Sequence, residues 1–234
     1  MDSYKTLSII IPAYNEEENL PFLLDDLLSL KLKDTEIIIV NDNSKDKTPE
    51  IAERYSKKYK NISVINRTKG NNGMGFALVE GTKKAKGEII VWLMADRCDN
   101  LETIPRMINK IKSGSDMVFG SRYMKGGSIG DNSKIKALLS GGYTFVASIL
   151  FRFKVHDIGN AFRAFRKEVF NAVTLNRMDF SISPEFAIKA HILGFKLGEV
   201  PTSYTRRKEG VSKFKILKMG WEDVKLFKYL FVNP

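Results

Sequence analysis

The chain has 234 residues, 43% of them hydrophobic and 28% charged. That is an ordinary globular composition, long enough to bury a sizeable core and unlike a disordered chain. Lys and Arg number 38 against 27 Asp and Glu, a net charge of +11, which directs attention to polyanionic partners: nucleic acid, phosphorylated small molecules or an anionic membrane surface. The single cysteine, Cys98, excludes an internal disulfide framework and a cysteine-built zinc site, and fits a reducing compartment.

The N-terminal Met1-Asp2-Ser3-Tyr4-Lys5 runs into a strand pattern without the charged-then-apolar layout of a signal peptide. Leu7 to Ile11, closed by Pro12, reads as a strand buried on both faces. A helix is expected from Asn15, with Asn15 as cap, Glu16, Glu17 and Glu18 in its first turn, Pro21 early, and Leu20, Leu23, Leu24, Leu27 and Leu28 as the apolar stripe. Further strands fall at Glu36 to Val40, Ile62 to Ile65 and Glu88 to Met94. A helix to about Tyr59 separates the first two, and a glycine-rich loop (Gly70, Gly73, Gly75) with a helix ending near Gly87 precedes the last.

Repeated strand–loop–helix units specify an α/β fold, a mainly parallel sheet with helices on both faces. Ligands of such sheets bind beyond the carboxyl ends of the strands. The residues found there are polar: Tyr14, Asn15 and Glu16, then Asp42 and Asn43, then Asp96 and Asp99. The second half is less regular, with strands expected at Asp116 to Gly120 and Lys196 to Val200. The apolar run from Leu138 to Phe151 is too short for a bilayer, which takes roughly 20 residues. It reads as a buried helix or one lying in a membrane interface, the core being the expected role. From Lys213 to Phe231 apolar residues at helical spacing alternate with lysines, the pattern of a basic amphipathic helix. The chain therefore divides into a main domain over 1–212 and this appendage over 213–234.

Carboxylates at strand ends, Asp42, Asp96 and Asp99, can bind a ribose or hold a hard divalent cation against a diphosphate, or simply cap helices. The turn Gly70-Asn71-Asn72-Gly73-Met74-Gly75 matches neither a dinucleotide fingerprint nor a P-loop. It suits a phosphate, a close backbone approach or a tight turn. Arg122, Arg163, Arg206, Arg207 and Lys213 could form an anion clamp. His156 and His191 have no nucleophile partner in a recognisable motif and read as structural.

Taken in order, these segments resemble a family 2 glycosyltransferase of the GT-A fold, closest to the dolichyl-phosphate mannosyltransferase and polyprenyl-phosphate glycosyltransferase branch. The resemblance rests on Pro12-Ala13-Tyr14-Asn15-Glu16, Val40-Asn41-Asp42-Asn43-Ser44-Lys45-Asp46-Lys47-Thr48, Gly73-Met74-Gly75-Phe76-Ala77, Gly120-Ser121-Arg122-Tyr123, Phe162-Arg163, and Glu199-Val200-Pro201 followed by Arg207, Gly210, Ser212 and Lys213. It implies that Pro12, Tyr14, Glu16, Val40 and Asp42 hold the base and ribose of a sugar nucleotide. Ala95 and Asp96 would lie at the diphosphate, and Arg122, Arg163, Arg207 and Lys213 would contact phosphates of donor or acceptor.

The resemblance also implies inverting transfer from GDP-mannose or a UDP-sugar to an acceptor, expected to be a polyprenyl or dolichyl phosphate. Asp96, with Asp157 or Glu185 as a base for a hydroxyl acceptor, would serve catalysis. The family's D-A-D followed by Gln is here Met94-Ala95-Asp96-Arg97-Cys98. Met is a poor ligand for a hard cation, so a Mn or Mg ion would rest on Asp96 and Asp99, or Arg97 would supply the positive charge instead. A non-catalytic nucleotide-sugar-binding member and a sugar-1-phosphate nucleotidyltransferase are the alternatives. The implied setting is cytoplasmic and peripheral on an anionic membrane surface. No nucleic-acid partner is expected, because the aromatics sit in apolar runs and no binding motif is present.

Overall fold

The computed structural model describes residues 7–68, 70, 72–130, 134–205 and 224–231. Seven strands form one sheet: β1 (Leu7–Ala13), β2 (Thr35–Asn41), β3 (Ile62–Asn66), β4 (Ile89–Trp92), β5 (Met117–Ser121), β6 (Arg163–Arg166) and β7 (Leu197–Pro201). Their order is β3-β2-β1-β4-β6-β5-β7. Only β6 runs antiparallel to its neighbours, β4 and β5; β1, β2, β3 and β4 pair in parallel, as do β5 and β7. The helices are α1 (Leu20–Ser29), α2 (Thr48–Lys58), α3 (Met74–Lys84), α4 (Thr103–Lys112), α5 (Lys134–Phe151), α6 (Lys167–Ala172) and α7 (Ile182–Ile192), followed by a 3-10 helix over Lys225–Leu230.

The two-residue period of a strand sends alternate side chains to opposite faces. Ile9 and Ile11 pack with Ile37, Ile39, the α1 leucines and Ile104, Met107 and Ile111 of α4. Ile10 and Ile38 pack on the other face with Ala77, Leu78, Trp92, Phe119, Phe165 and Phe186. Every residue of Ile9–Ile11 and Ile90–Trp92 is 0% exposed. Central strands covered on both faces read as continuous apolar runs, which is why they were legible.

Three local expectations are corrected. Helix α1 begins at Leu20, with Pro21 in its first turn and no side-chain cap. Asn15 takes a left-handed conformation (φ 55°), and the three glutamates lie in the loop before the helix. The antiparallel β6 and helices α4, α6 and α7 had no reading from sequence. Helix α5 is core on one face only. Ala147 and Phe151 are buried, whereas Leu138 (76% exposed), Phe145 (65%) and Ile149 (60%) stand in solvent. The greater part of the expected basic C-terminal helix lies outside the described residues. Within them, Leu226 and Tyr229 are buried and Phe227 stacks on Tyr143 of α5.

Candidate active site

The loops after β1 and β2 are stitched to each other. The Asn15, Glu16 and Glu17 amides donate to Ser44 Oγ, Thr48 Oγ1 and Asp46 Oδ2 at 3.0, 2.8 and 3.0 Å. The Lys45 and Lys47 amides donate back to Asn15 Oδ1 and Glu17 Oε2 at 2.8 and 2.9 Å. Asp46 Oδ1 accepts the Thr48 amide as well. Burial opposes ionisation of Asp46, but the Thr48 side-chain and main-chain donors and the Glu17 amide outweigh it and hold its carboxyl below the usual range. The polar strings of both loops thus form one rigid platform. A pocket of about 390 Å³ opens beside it, lined by residues 15–19, Lys45 and Asp46.

Pro12, next to last in β1, pairs with Val40 of β2. Val40 is 0% exposed, so its side chain belongs to the core and only its main chain faces the strand ends. Tyr14 is half-buried beside them, and the buried Glu16 accepts the Asn19 side-chain amide. Asp42, 5% exposed, pairs with Arg67, and its Oδ2 accepts the Gly73 amide at 2.7 Å. Arg67 in turn reaches Glu80 at 2.9 Å. Applying the strand-end rule to β3 as well would have found Arg67, which the sequence reading missed. The glycine turn is explained by a close backbone approach. Gly75 donates its amide to the Met178 carbonyl at 3.0 Å, and an ideal Cβ at Gly75 would fall 2.5 Å from Met178 Cα.

After β4, Ala95 is buried and Asp96 is half-buried, Oδ1 accepting the Cys98 amide at 3.2 Å. Asp99 is 8% exposed, and its Oδ1 has no hydrogen-bond partner among the described residues. Burial first, then the neighbouring Asp96, pushes its carboxyl up to about 8. Burial and Asp96 also raise the Cys98 thiol, to about 12, and the Tyr204 phenol; Cys98 is therefore an inert core thiol. Arg97 does not supply positive charge here. It turns to Asp26 of α1 at 3.2 Å and lies over the Phe22 ring.

Arg122, at the end of β5, lies between the Tyr123 and Tyr204 rings and pairs bidentately with Asp157 through Nε and Nη2 at 2.7 and 2.8 Å. Asp157 is 0% exposed and also accepts the Arg122 amide. Burial works to lower the Arg122 guanidinium, and Asp157 more than reverses it, so the guanidinium stays charged. Asn160, which the sequence reading also missed, bonds the Gly120 carbonyl in the same neighbourhood. Next to Asp157, His156 bonds Glu199 of β7 through its amide and Nδ1. His191 bonds the Phe151 carbonyl.

Two expected site residues lie elsewhere. Arg163 is 0% exposed beneath the sheet ends. Its guanidinium donates to the carbonyls of Ser183, Ile158 and Asn160, and burial, partly offset by Asp157, lowers it to about 9. Its work is to hold main chain. Glu185 is likewise enclosed at 0% exposure, its oxygens taken by the Asn176 and Arg177 amides, Tyr229 and Lys189. Neither it nor the ion-paired Asp157 is a free base. Arg206, Arg207 and Lys213 lie outside the described residues. Among the described residues no three His, Cys, Asp or Glu side chains form a metal-holding group. Asp96 and Asp99 are a pair only.

Parallel sheets bind their ligands beyond the carboxyl ends of the strands, and there this chain presents carboxylates and an arginine flanked by aromatic rings. Residues 8–174 match the family model for glycosyl transferase family 2, and the chain belongs to that family. Along 213 residues it is 40% identical to the dolichol-phosphate mannosyltransferase of Pyrococcus furiosus, covering 89% of this chain and 59% of that protein. It is 31% identical to a dolichyl-phosphate β-glucosyltransferase of Trichomonas vaginalis, over 94% of this chain and 72% of that one. Among solved structures, glucosyl-3-phosphoglycerate synthase of Mycobacterium tuberculosis with Mn2+, UDP and phosphoglyceric acid superposes with a TM-score of 0.75. That match has 15% identity and covers 98% of this chain and 80% of the other. The fold is GT-A.

Proposed function

We propose that this chain carries the nucleotide-sugar site of an inverting glycosyltransferase that moves a hexose from GDP-mannose or a UDP-sugar to a polyprenyl or dolichyl phosphate. The observation that carries the reading is the state of the two carboxylates available as bases for a hydroxyl acceptor. Asp157 is locked on Arg122 and Glu185 is enclosed. A phosphate acceptor is already an anion at neutral pH and needs no such base. The dolichol-phosphate names of the relatives point the same way.

In this reading Pro12, Tyr14 and Glu16 with the main chain of Val40 bound the base and ribose, and Asp42 fixes the ribose side. Arg122 meets a phosphate, joined by Arg207 and Lys213. A divalent cation fits Asp96 and Asp99, because the partnerless buried Asp99 Oδ1 beside a second carboxylate wants positive charge. When bound, such a cation neutralises charge on the departing nucleoside diphosphate. With Met94 in place of a carboxylate, Asp96 and Asp99 would be its two protein ligands.

The lipid-borne acceptor brings the protein to a cytoplasmic, anionic membrane surface as a peripheral protein. No helix among the described residues is long and apolar enough to cross a membrane. The exposed face of α5 carries Leu138, Phe145 and Ile149; Arg152 and Lys154, just after the helix, and Lys225 and Lys228, on the 3-10 helix that packs against it, are exposed too. Such a face can lie in the headgroup region, each basic residue contributing about 1 kcal/mol.

The test is a thermal-shift panel of GDP, UDP and CDP with and without Mn2+, followed by transfer of labelled hexose to dolichyl phosphate in vesicles. One base at about 100 times its dissociation constant stabilises by roughly 2.7 kcal/mol, a shift of several degrees. Folded protein that responds to none of them, with or without Mn2+, would overturn the proposal. Asp99→Ala is expected to abolish any Mn2+ dependence.

A further inference from the structure

The buried charges around Glu185 have no part in the chemistry above, and an ion pair at 0–1% side-chain exposure is a poor way to gain stability. Its connections explain it better. One oxygen, Oε1, accepts the Tyr229 hydroxyl at 3.0 Å and faces Lys189 at 3.2 Å. Lys189 also donates to the Thr174 carbonyl and lies over the Tyr229 ring. The other oxygen, Oε2, accepts two successive main-chain amides, Asn176 at 3.0 Å and Arg177 at 2.8 Å. A carboxylate gripping consecutive amides fixes the path of the chain there.

The next residue in that path is Met178, and its carbonyl is where the glycine turn docks through the Gly75 amide. No side chain fits between the two segments: ideal Cβ atoms at Gly73 and Gly75 would lie 2.9 and 2.7 Å from the Met178 carbonyl oxygen. Gly73 then donates to Asp42 Oδ2. A continuous series of contacts therefore runs from α7 through residues 176–178 and the glycine turn to the carboxylate at the end of β2. Its far end holds the C-terminal segment through Tyr229.

We infer that Glu185 is a positioning residue for the donor site, setting the glycine turn against Asp42 through residues 176–178. The inference rests on the reading that Asp42 and this turn face the nucleotide sugar. It is distinct from a role in merely anchoring the C-terminal segment, which would leave the turn unaffected.

The experiment compares two double variants of the full chain, E185L/K189M and E185Q/K189M. Both remove the buried charges without leaving either one alone, but only the second keeps an oxygen for the 176 and 177 amides. Two quantities are read: amide hydrogen exchange at Gly73 and Gly75, and the dissociation constant of whichever of GDP or UDP the wild type binds. E185L/K189M is expected to speed exchange at both glycines and weaken the nucleotide at least about fivefold. E185Q/K189M should restore both.

Wild-type exchange at Gly73 and Gly75 in E185L/K189M would overturn the inference, as would faster exchange with an unchanged dissociation constant. Should that variant not fold, Glu185→Asp retains the charge facing Lys189 but withdraws the oxygens by one methylene. Faster exchange at the two glycines then supports the inference and unchanged exchange overturns it. A wild type that binds neither nucleotide refutes the proposed function, and the exchange comparison alone then decides whether Glu185 sets the turn.

Discussion

Replacing Gly75 by alanine puts a methyl group where main chain already is. Its Cβ would stand 2.5, 2.6 and 2.7 Å from Met178 Cα, C and O, against the 3.5–4.0 Å at which carbon atoms normally pack. None of these atoms can rotate aside, so the segments must part by about 1 Å, an estimate from that contact distance, and the Gly75–Met178 hydrogen bond, 3.0 Å long, is stretched or lost. Overpacking costs about 1–3 kcal/mol and a lost hydrogen bond about 1, while alanine in a helix returns at most about 1, leaving a net loss of about 1–4 kcal/mol. Gly142, in the interior of α5, supplies the opposite case: it is exposed and a Cβ there meets nothing within 4 Å. Gly142→Ala should therefore stabilise by about 0.5–1 kcal/mol. Urea denaturation of the two variants reads both effects as midpoint shifts of opposite sign at unchanged slope. A Gly75→Ala protein as stable as wild type would refute the claim that close backbone approach requires this glycine.

Arg122→Ala leaves the Asp157 carboxyl, at 0% exposure, without its ion-pair partner and is expected to cost about 3–5 kcal/mol, with Arg122→Lys recovering part of it; a loss below about 1 kcal/mol in urea would contradict the pairing. Asp46 has a depressed carboxyl pKa, so its contribution is present above the ordinary aspartate range and lost as pH falls through the folded-state value. Asp46→Asn should therefore be less stable than wild type at neutral pH and converge with it in acid, and a constant difference across pH would count against the loop lock. Phe145→Asp with Ile149→Asp alters only exposed positions of α5, so stability should hold within about 0.5 kcal/mol for each change. Flotation with anionic vesicles should fall sharply in that variant, and equal flotation would remove α5 from the membrane reading.

Where the candidate site's side chains lie was legible because parallel sheets place ligand groups by rule. Once β1, β2 and β4 were recognised as apolar runs, Tyr14, Asp42, Asp96 and Asp99 followed from their positions. Residue type alone misassigned Arg163 and Glu185, for a charged residue in a motif looks the same whether it faces a ligand or grips buried main chain. Arg67 directly follows β3 and was open to the same strand-end rule, whereas Asn160 and Tyr204 were missed because their partners are 40 and about 105 positions away in the chain, too distant for any local pattern.

The sequence by itself determined the layered α/β architecture, the family and the strand-end carboxylates. Those properties follow from local periodicity, turn chemistry and ordered short motifs, which are written along the chain. Tertiary structure alone decided that Asn15 and its glutamates lock a loop rather than cap a helix, and that the glycine turn answers to Met178. It also decided that Arg97 turns to Asp26 of α1 and that α5 leaves Leu138, Phe145, Val146, Ile149 and Leu150 exposed. Each of these depends on which segment arrives beside another, and burial and hydrogen-bond partnership are properties of that meeting rather than of either segment alone.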